Sequence, residues 1–189
     1  MSGNDTMANN EFNFRGTTVI AVRRNGVTAM AGDGQVSFNN TILKATAKKV
    51  RRMYEDRVLA GFAGATSDAF TLFEKFEKKL EQYMGGISRA AYELAKEWRQ
   101  DKYLRRLEAL LLVADSSQIF LISGTGDIIE PDYDAIAIGS GAPMAYSASL
   151  ALLENTMLEA PEIAKISLGI ASRICVFTNT SVTVETLKK

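Results

Sequence analysis

The sequence predicts an α+β fold, a four-layer αββα sandwich in which two antiparallel sheets stack face to face and helices cover their outer sides. Two observations carry this. The elements come in the order strand pairs, two helices, strand pairs, two helices, strand; paired strands joined by short turns make antiparallel ladders, whereas a doubly wound parallel sheet needs a crossover after each strand. Asn25-Gly26 separates two apolar, β-branched runs, the strongest short hairpin signal, because both turn positions need positive φ. With 189 residues the chain is long enough for one domain that buries about 70% of its unfolded surface.

In order along the chain, residues 17–24 and 27–33 make the first hairpin. Gly32-Asp33-Gly34 ends it, and a polar stretch with Asn39-Asn40 leads to a second hairpin, residues 48–54 and 57–64 about a turn at Glu55-Asp56. Ser67-Asp68 can cap and charge a helix start. Phe70, Phe73, Phe76, Leu80 and Tyr83 recur at spacings of three and four, so residues 68–83 form an amphipathic helix whose aromatic stripe is core. Gly85-Gly86 breaks it, and Ala91, Leu94, Ala95 and Trp98 mark a second helix over 88–102. Strands follow at 107–115 and 118–123, then a turn at Gly124-Thr125-Gly126-Asp127, a short strand at 128–130 and another at 135–139. Pro143 suits the first turn of a helix to about residue 154; a further helix spans 159–172, and a strand near 182–187 closes the chain. The glycine pairs at 32/34, 124/126 and 139/141 read as turns, since they lack dinucleotide-fingerprint spacing and no GxxxxGK[ST] occurs.

Composition excludes several chemistries. Lys plus Arg and Asp plus Glu balance at 22 each, so no overall field points to nucleic acid or an anionic membrane. Histidine is absent, which removes Ser-His-Asp and Cys-His catalysis and histidine-based metal sites. Cys175 is the single cysteine; it reads as a buried thiol between Ile174 and Val176, and its solitude fits a reducing, cytoplasmic setting. No run of about 18 apolar residues spans a membrane, and residues 1–16 lack the features of signal and transit peptides. They read as a leader, disordered or removable.

Catalysis without histidine has a route at Gly16-Thr17-Thr18. By itself the tripeptide reads as a tail joining a strand. If the chain is cut after Gly16, however, Thr17 gains an α-amino group titrating near about 7.7 to 8.0, so one residue carries both nucleophile and base.

Thr17-Thr18, the hairpin after it, Ala31-Gly32-Asp33-Gly34-Gln35, Lys48-Lys49-Val50-Arg51-Arg52 and Ala60-Gly61-Phe62-Ala63-Gly64 resemble the bacterial HslV (ClpQ) peptidase family. So do the stretches 68–74, 95–99 and 138–141, and Cys175-Val176-Phe177-Thr178-Asn179. The resemblance runs from Thr17 almost to the end. It implies a proteasome-β-like N-terminal-nucleophile hydrolase: a leader over 1–16 and a single peptidase domain over 17–189. Thr17 matches the nucleophile, Asp33 and Lys49 its acidic and basic partners, Gly61 the residue whose backbone N–H faces the oxyanion, and Ser140 a hydroxyl near the terminal amine. Val36, Ala47, Gly61 and Ala65 match the lining of the pocket for the residue before the cut, and their small size implies room for a large apolar side chain. Carbonyls at Ser172, Cys175 and Thr178 match a sodium site at a helix end; Ser172 stands where the family has glycine, which a backbone ligand tolerates. No organic cofactor is implied. The implied partners are other copies of the chain in two stacked hexameric rings, the AAA+ ATPase HslU, which uses the ATP, and unfolded protein substrates. Lys48 to Arg52 reads as a face toward that partner or as a solvated basic face. Two alternatives stay open: an N-terminal-nucleophile amidase acting on a small amide, and a catalytically silent ring subunit.

Overall fold

The computed structural model of the chain describes residues 14–64, 66–102 and 109–189. Its elements run β1 (Phe14–Arg15), β2 (Thr18–Arg24), β3 (Val27–Asp33), β4 (Val36–Phe38), β5 (Thr41–Lys44), β6 (Val50–Met53) and β7 (Val58–Ala63), then α1 (Thr66–Gln82) and α2 (Ile87–Gln100). There follow β8 (Leu110–Ala114), β9 (Ile119–Ser123), β10 (Ile128–Ile129), β11 (Ala135–Gly139), α3 (Ala142–Asn155), α4 (Ala160–Ile174) and β12 (Val182–Lys188). Leu107 and Glu108 of the strand expected from residue 107 lie outside the described residues.

Hydrogen bonding sorts the strands into sheets ordered β11-β2-β3-β12 and β10-β9-β8-β7-β6, with a small third sheet β1-β4-β5. Among the described residues the strand pairings in the two large sheets are antiparallel. The β2–β3 turn has positive φ at both Asn25 (52°) and Gly26 (75°), as its sequence demands.

Period-two alternation explains how the layers close. In β2, Val19 and Ala21 face the other sheet with Leu59, Leu112 and Ile138. Ile20 and Val22 face outward against Ile163, Ala164 and Leu168 of α4. On the second sheet Val58, Ala60 and Phe62 turn toward α1 and α2, where Leu72, Phe76, Leu94 and Trp98 complete a third cluster. Three clusters between four layers are the expected αββα sandwich. No helix among the described residues is long and apolar enough to cross a membrane.

Four differences from expectation have physical reasons. The polar stretch about Asn39-Asn40 is itself a hairpin, β4–β5, turned by Asn39 at φ 51°; every residue of β5 is exposed, so no apolar alternation announced it. Residues 14 and 15, expected to belong to a leader, pair with β4, Phe14 opposite Phe38, while 1–13 lie outside the described residues. Gly32 belongs to β3 rather than to a turn: a Cβ there would press on Val50 and Lys49 at 3.2 and 3.3 Å. In α1 the buried stripe is Leu72, Phe73, Phe76 and Leu80, whereas Phe70 is 50% exposed and lies under the Arg51 guanidinium at 4.8 Å.

The fully buried Trp98 holds α2 to its sheet. Trp98→Ala is expected to cost about 3–5 kcal/mol, and Tyr92→Ala on the exposed face of the same helix no more than about 1 kcal/mol, both read from denaturant midpoints.

Candidate active site

The site forms where β2 begins, where β3 ends and where the segment before β6 passes between them. Thr17 is gripped through its backbone on three sides. The preceding carbonyl, that of Gly16, accepts a hydrogen bond from Lys49 Nζ at 2.5 Å. Its own carbonyl accepts from the Ser140 N–H at 2.9 Å. The N–H of the following residue, Thr18, donates to Asp33 Oδ1 at 2.7 Å. Residues 17, 33, 49 and 140, scattered over the chain, are thus brought together, Ser140 through its backbone N–H.

Asp33 is the hub. Its carboxylate accepts on Oδ1 from the Thr18 N–H and from Lys49 Nζ at 2.7 Å, and on Oδ2 from the N–H groups of Gln35 (2.9 Å) and Asn179 (3.3 Å). The Asp33 side chain is fully buried and that of Lys49 is 8% exposed. Burial lowers the Lys49 pKa from the ordinary lysine range, against the opposing attraction and hydrogen bond of Asp33. A cation that is partly desolvated, paired and aimed at the carbonyl before Thr17 is electrophilic toward that carbonyl.

Local chain geometry fixes the remaining members. Gly139 has φ 93°, a left-handed conformation that favours glycine, and a Cβ there would strike the Thr17 carbonyl. The turn therefore passes close enough for Ser140 to reach Thr17. Beside it, Thr18 Oγ1 accepts from the Gly141 N–H at 2.9 Å and shares a hydrogen bond with Thr178 Oγ1 at 2.7 Å.

A family model described as "Proteasome subunit" matches residues 13–187. The chain belongs to the proteasome family. Among solved structures, eukaryotic HslV from Trypanosoma brucei is 41% identical, with 91% of this chain and 99% of that one covered, at a TM-score of 0.87. Two structures of Thiobacillus denitrificans BPH, one in complex with epoxomicin, are each 21% identical, at TM-scores of 0.73 and 0.69. They cover 90% of this chain and 98% and 97% of their own; at that identity they speak for the fold alone. The HslV likeness and the αββα fold read from sequence both hold, and this proteasome-family chain is a peptidase subunit similar to HslV.

Gly61 lies inside β7, paired with Val50 on one side and Leu112 on the other. A Cβ there would meet Val19 Cγ1 at 2.5 Å and Met30 Sδ at 3.1 Å. The two stacked sheets therefore demand glycine at this point, a packing reason that a reading based on substrate approach did not supply. Of the other pocket positions, Val36 and Ala47 are half-buried, and Ala65 lies outside the described residues.

The basic run from Lys48 to Arg52 divides. Lys49 turns inward, Arg51 covers Phe70 and Phe73, and Arg52 binds Glu185 and the Thr186 carbonyl.

Ser172 lies in the last turn of α4, Cys175 caps that helix and Thr178 lies just beyond it. The Cys175 carbonyl accepts from the Thr178 N–H at 3.1 Å, which leaves that oxygen a second lone pair. Among the described residues no group of three or more His, Cys, Asp or Glu side chains can hold a metal. Neutral carbonyls at the negative end of a helix are donors of the kind that suit a hard monovalent cation. Sequence reasoning missed Gln35, Thr18, the Thr178 hydroxyl and Asn179. Gln35, only 3% exposed, donates to Ser37 Oγ and to the Val176 carbonyl, both at 2.9 Å.

Removing one partner of a buried ion pair leaves the other unpaired. Lys49→Met is expected to lower stability by about 3–5 kcal/mol. Asp33→Asn keeps the shape but turns an amide's hydrogens toward existing donors, and its cost is expected to be similar. Urea unfolding of both variants checks this.

Proposed function

We propose that the chain is a threonine endopeptidase, with Thr17 as an N-terminal nucleophile exposed by removal of residues 1–16. The observation that carries this reading is the Lys49 ammonium on the Gly16 carbonyl, at the bond that must break. Thr17 Oγ attacks that carbonyl carbon while Lys49 draws charge onto its oxygen. Collapse breaks the Gly16–Thr17 C–N bond as the hydroxyl proton passes to the departing nitrogen, leaving an ester on Oγ, and water hydrolyses the ester to release the leader and a free amine. In later turnovers the amine takes the Thr17 proton, the hydroxyl oxygen is acylated by a substrate carbonyl, the proton passes to the leaving amine, and water hydrolyses the acyl ester to free Thr17. Asp33 holds Lys49, and the Ser140 N–H holds the Thr17 carbonyl.

The substrates are unfolded polypeptides, supplied by a separate AAA+ ATPase of the HslU type, and the chain works as two stacked hexameric rings with its sites inside. The likeness to HslV supports this assembly. The carbonyls of Ser172, Cys175 and Thr178 would hold a sodium ion, which would brace the turn that carries the Thr178 hydroxyl to Thr18.

The expected intact mass of the native chain is that of residues 17–189, and Thr17→Ala is expected to keep its leader and to cleave no peptide. Loss of the leader from Thr17→Ala would assign the cut to another peptidase; peptide cleavage by that variant would overturn the nucleophile. Replacing sodium chloride by choline chloride at equal ionic strength is expected to lower the thermal midpoint, and an unchanged midpoint would count against the cation.

A further inference from the structure

Asn179 lies just after Thr178, beyond the end of α4, and begins as an ordinary turn residue: its Oδ1 accepts from the Ser181 N–H at 3.1 Å, the local bond of an Asx turn. Two more bonds reach far from the turn. The same Oδ1 accepts from the Gly34 N–H at 3.1 Å, and Nδ2 donates to the Ala45 carbonyl at 2.9 Å. Gly34 follows Asp33 directly, and Ala45 opens the segment that delivers Lys49. These segments also meet through Ala47 N–H to the Gly34 carbonyl at 2.9 Å. Their approach is so close that a Cβ on Gly34 would collide with the Ala45 carbonyl and come within 2.9 Å of Thr46 Cα.

We propose that Asn179 is a positioning residue of the active site, its amide joining the segment that carries Asp33 to the segment that carries Lys49. The proposal rests on the Thr17 reading above. Only an amide fits: it accepts from two N–H groups on one oxygen and donates to a carbonyl from the nitrogen, whereas a carboxylate lacks the donor and a serine hydroxyl lacks the reach. The Asn179 backbone N–H completes the link by donating to Asp33 Oδ2. Asp33 and Lys49 are the charged pair at this point; Thr18, Gln35 and Asn179 around them are neutral.

The test compares the native chain with Asn179→Ala, Asn179→Asp and Thr17→Ala on a chromogenic peptide. It measures kcat and KM across pH, thermal midpoints, and the fraction of chains that take up a peptide vinyl sulfone, read by intact mass. The expected result is a kcat lower by about 10-fold or more in both Asn179 variants, as misplacement of a reacting group costs, with KM and the modifiable fraction little changed. The alkaline limb of kcat moves in opposite directions. In Asn179→Ala it moves to lower pH, because a loosened Asp33 supports the Lys49 charge less; in Asn179→Asp it moves to higher pH, because a second carboxylate supports it more. A limb that stays in place, with activity falling only as the thermal midpoint, the modifiable fraction or KM changes, overturns the proposal and leaves Asn179 a turn residue. If Asn179→Ala does not fold, Asn179→Asp, which keeps both acceptor bonds, decides alone. An active Thr17→Ala brings down the nucleophile reading itself; an inactive one beside unaltered Asn179 variants brings down only the role of Asn179.

Discussion

A buried carboxylate that accepts four hydrogen bonds is the constraint on which the rest of this site depends. Asp33 ends a central strand inside the molecule, where an unpaired charge would be prohibitive. Each of its donors comes from a different stretch: the start of β2, the lysine before β6, the turn after β3 and the turn after α4. Satisfying one group therefore fixes four pieces of chain relative to one another. The lysine cannot leave without stranding the acid, and its alignment on the Gly16 carbonyl comes with that fixture.

Much of this was legible in the sequence because it rests on local rules. Asn25-Gly26 dictates its turn, alternation in β2 and β7 dictates two buried faces, and the three- and four-residue spacings of α1 and α2 dictate their inward stripes. The candidate site was legible for a different reason. Thr17, Asp33, Lys49 and Ser140 were identified through family resemblance, and nothing in their spacing alone brings them together. Asn179 was within a recognised block, yet its bonds span more than 130 residues of chain, and no local pattern encodes such a contact. The hairpin of β4 and β5 escaped for the opposite reason: its strands are too short and too exposed to carry a period.

Gly61 and Phe70 show how a residue can be singled out correctly and explained incorrectly. A glycine in a central strand suggests close approach of something, and something does approach, but it is Val19 from the stacked sheet. Phe70 continues an aromatic spacing that a helix of 3.6 residues per turn carries past the edge of the buried face. Arginine covers it there, so an apolar residue at the rim ends in a cation–π contact instead of the core.

β4 has a neighbour on each side only because residues 14 and 15 supply one of them. Without those residues the strand would keep β5 and show a free edge three residues long. Long free edges recruit other sheets and aggregate; one this short offers too few backbone groups to hold a foreign strand in register. Loss of residues 14 and 15 would therefore uncover backbone groups without giving the molecule a surface that propagates sheet from one copy to the next.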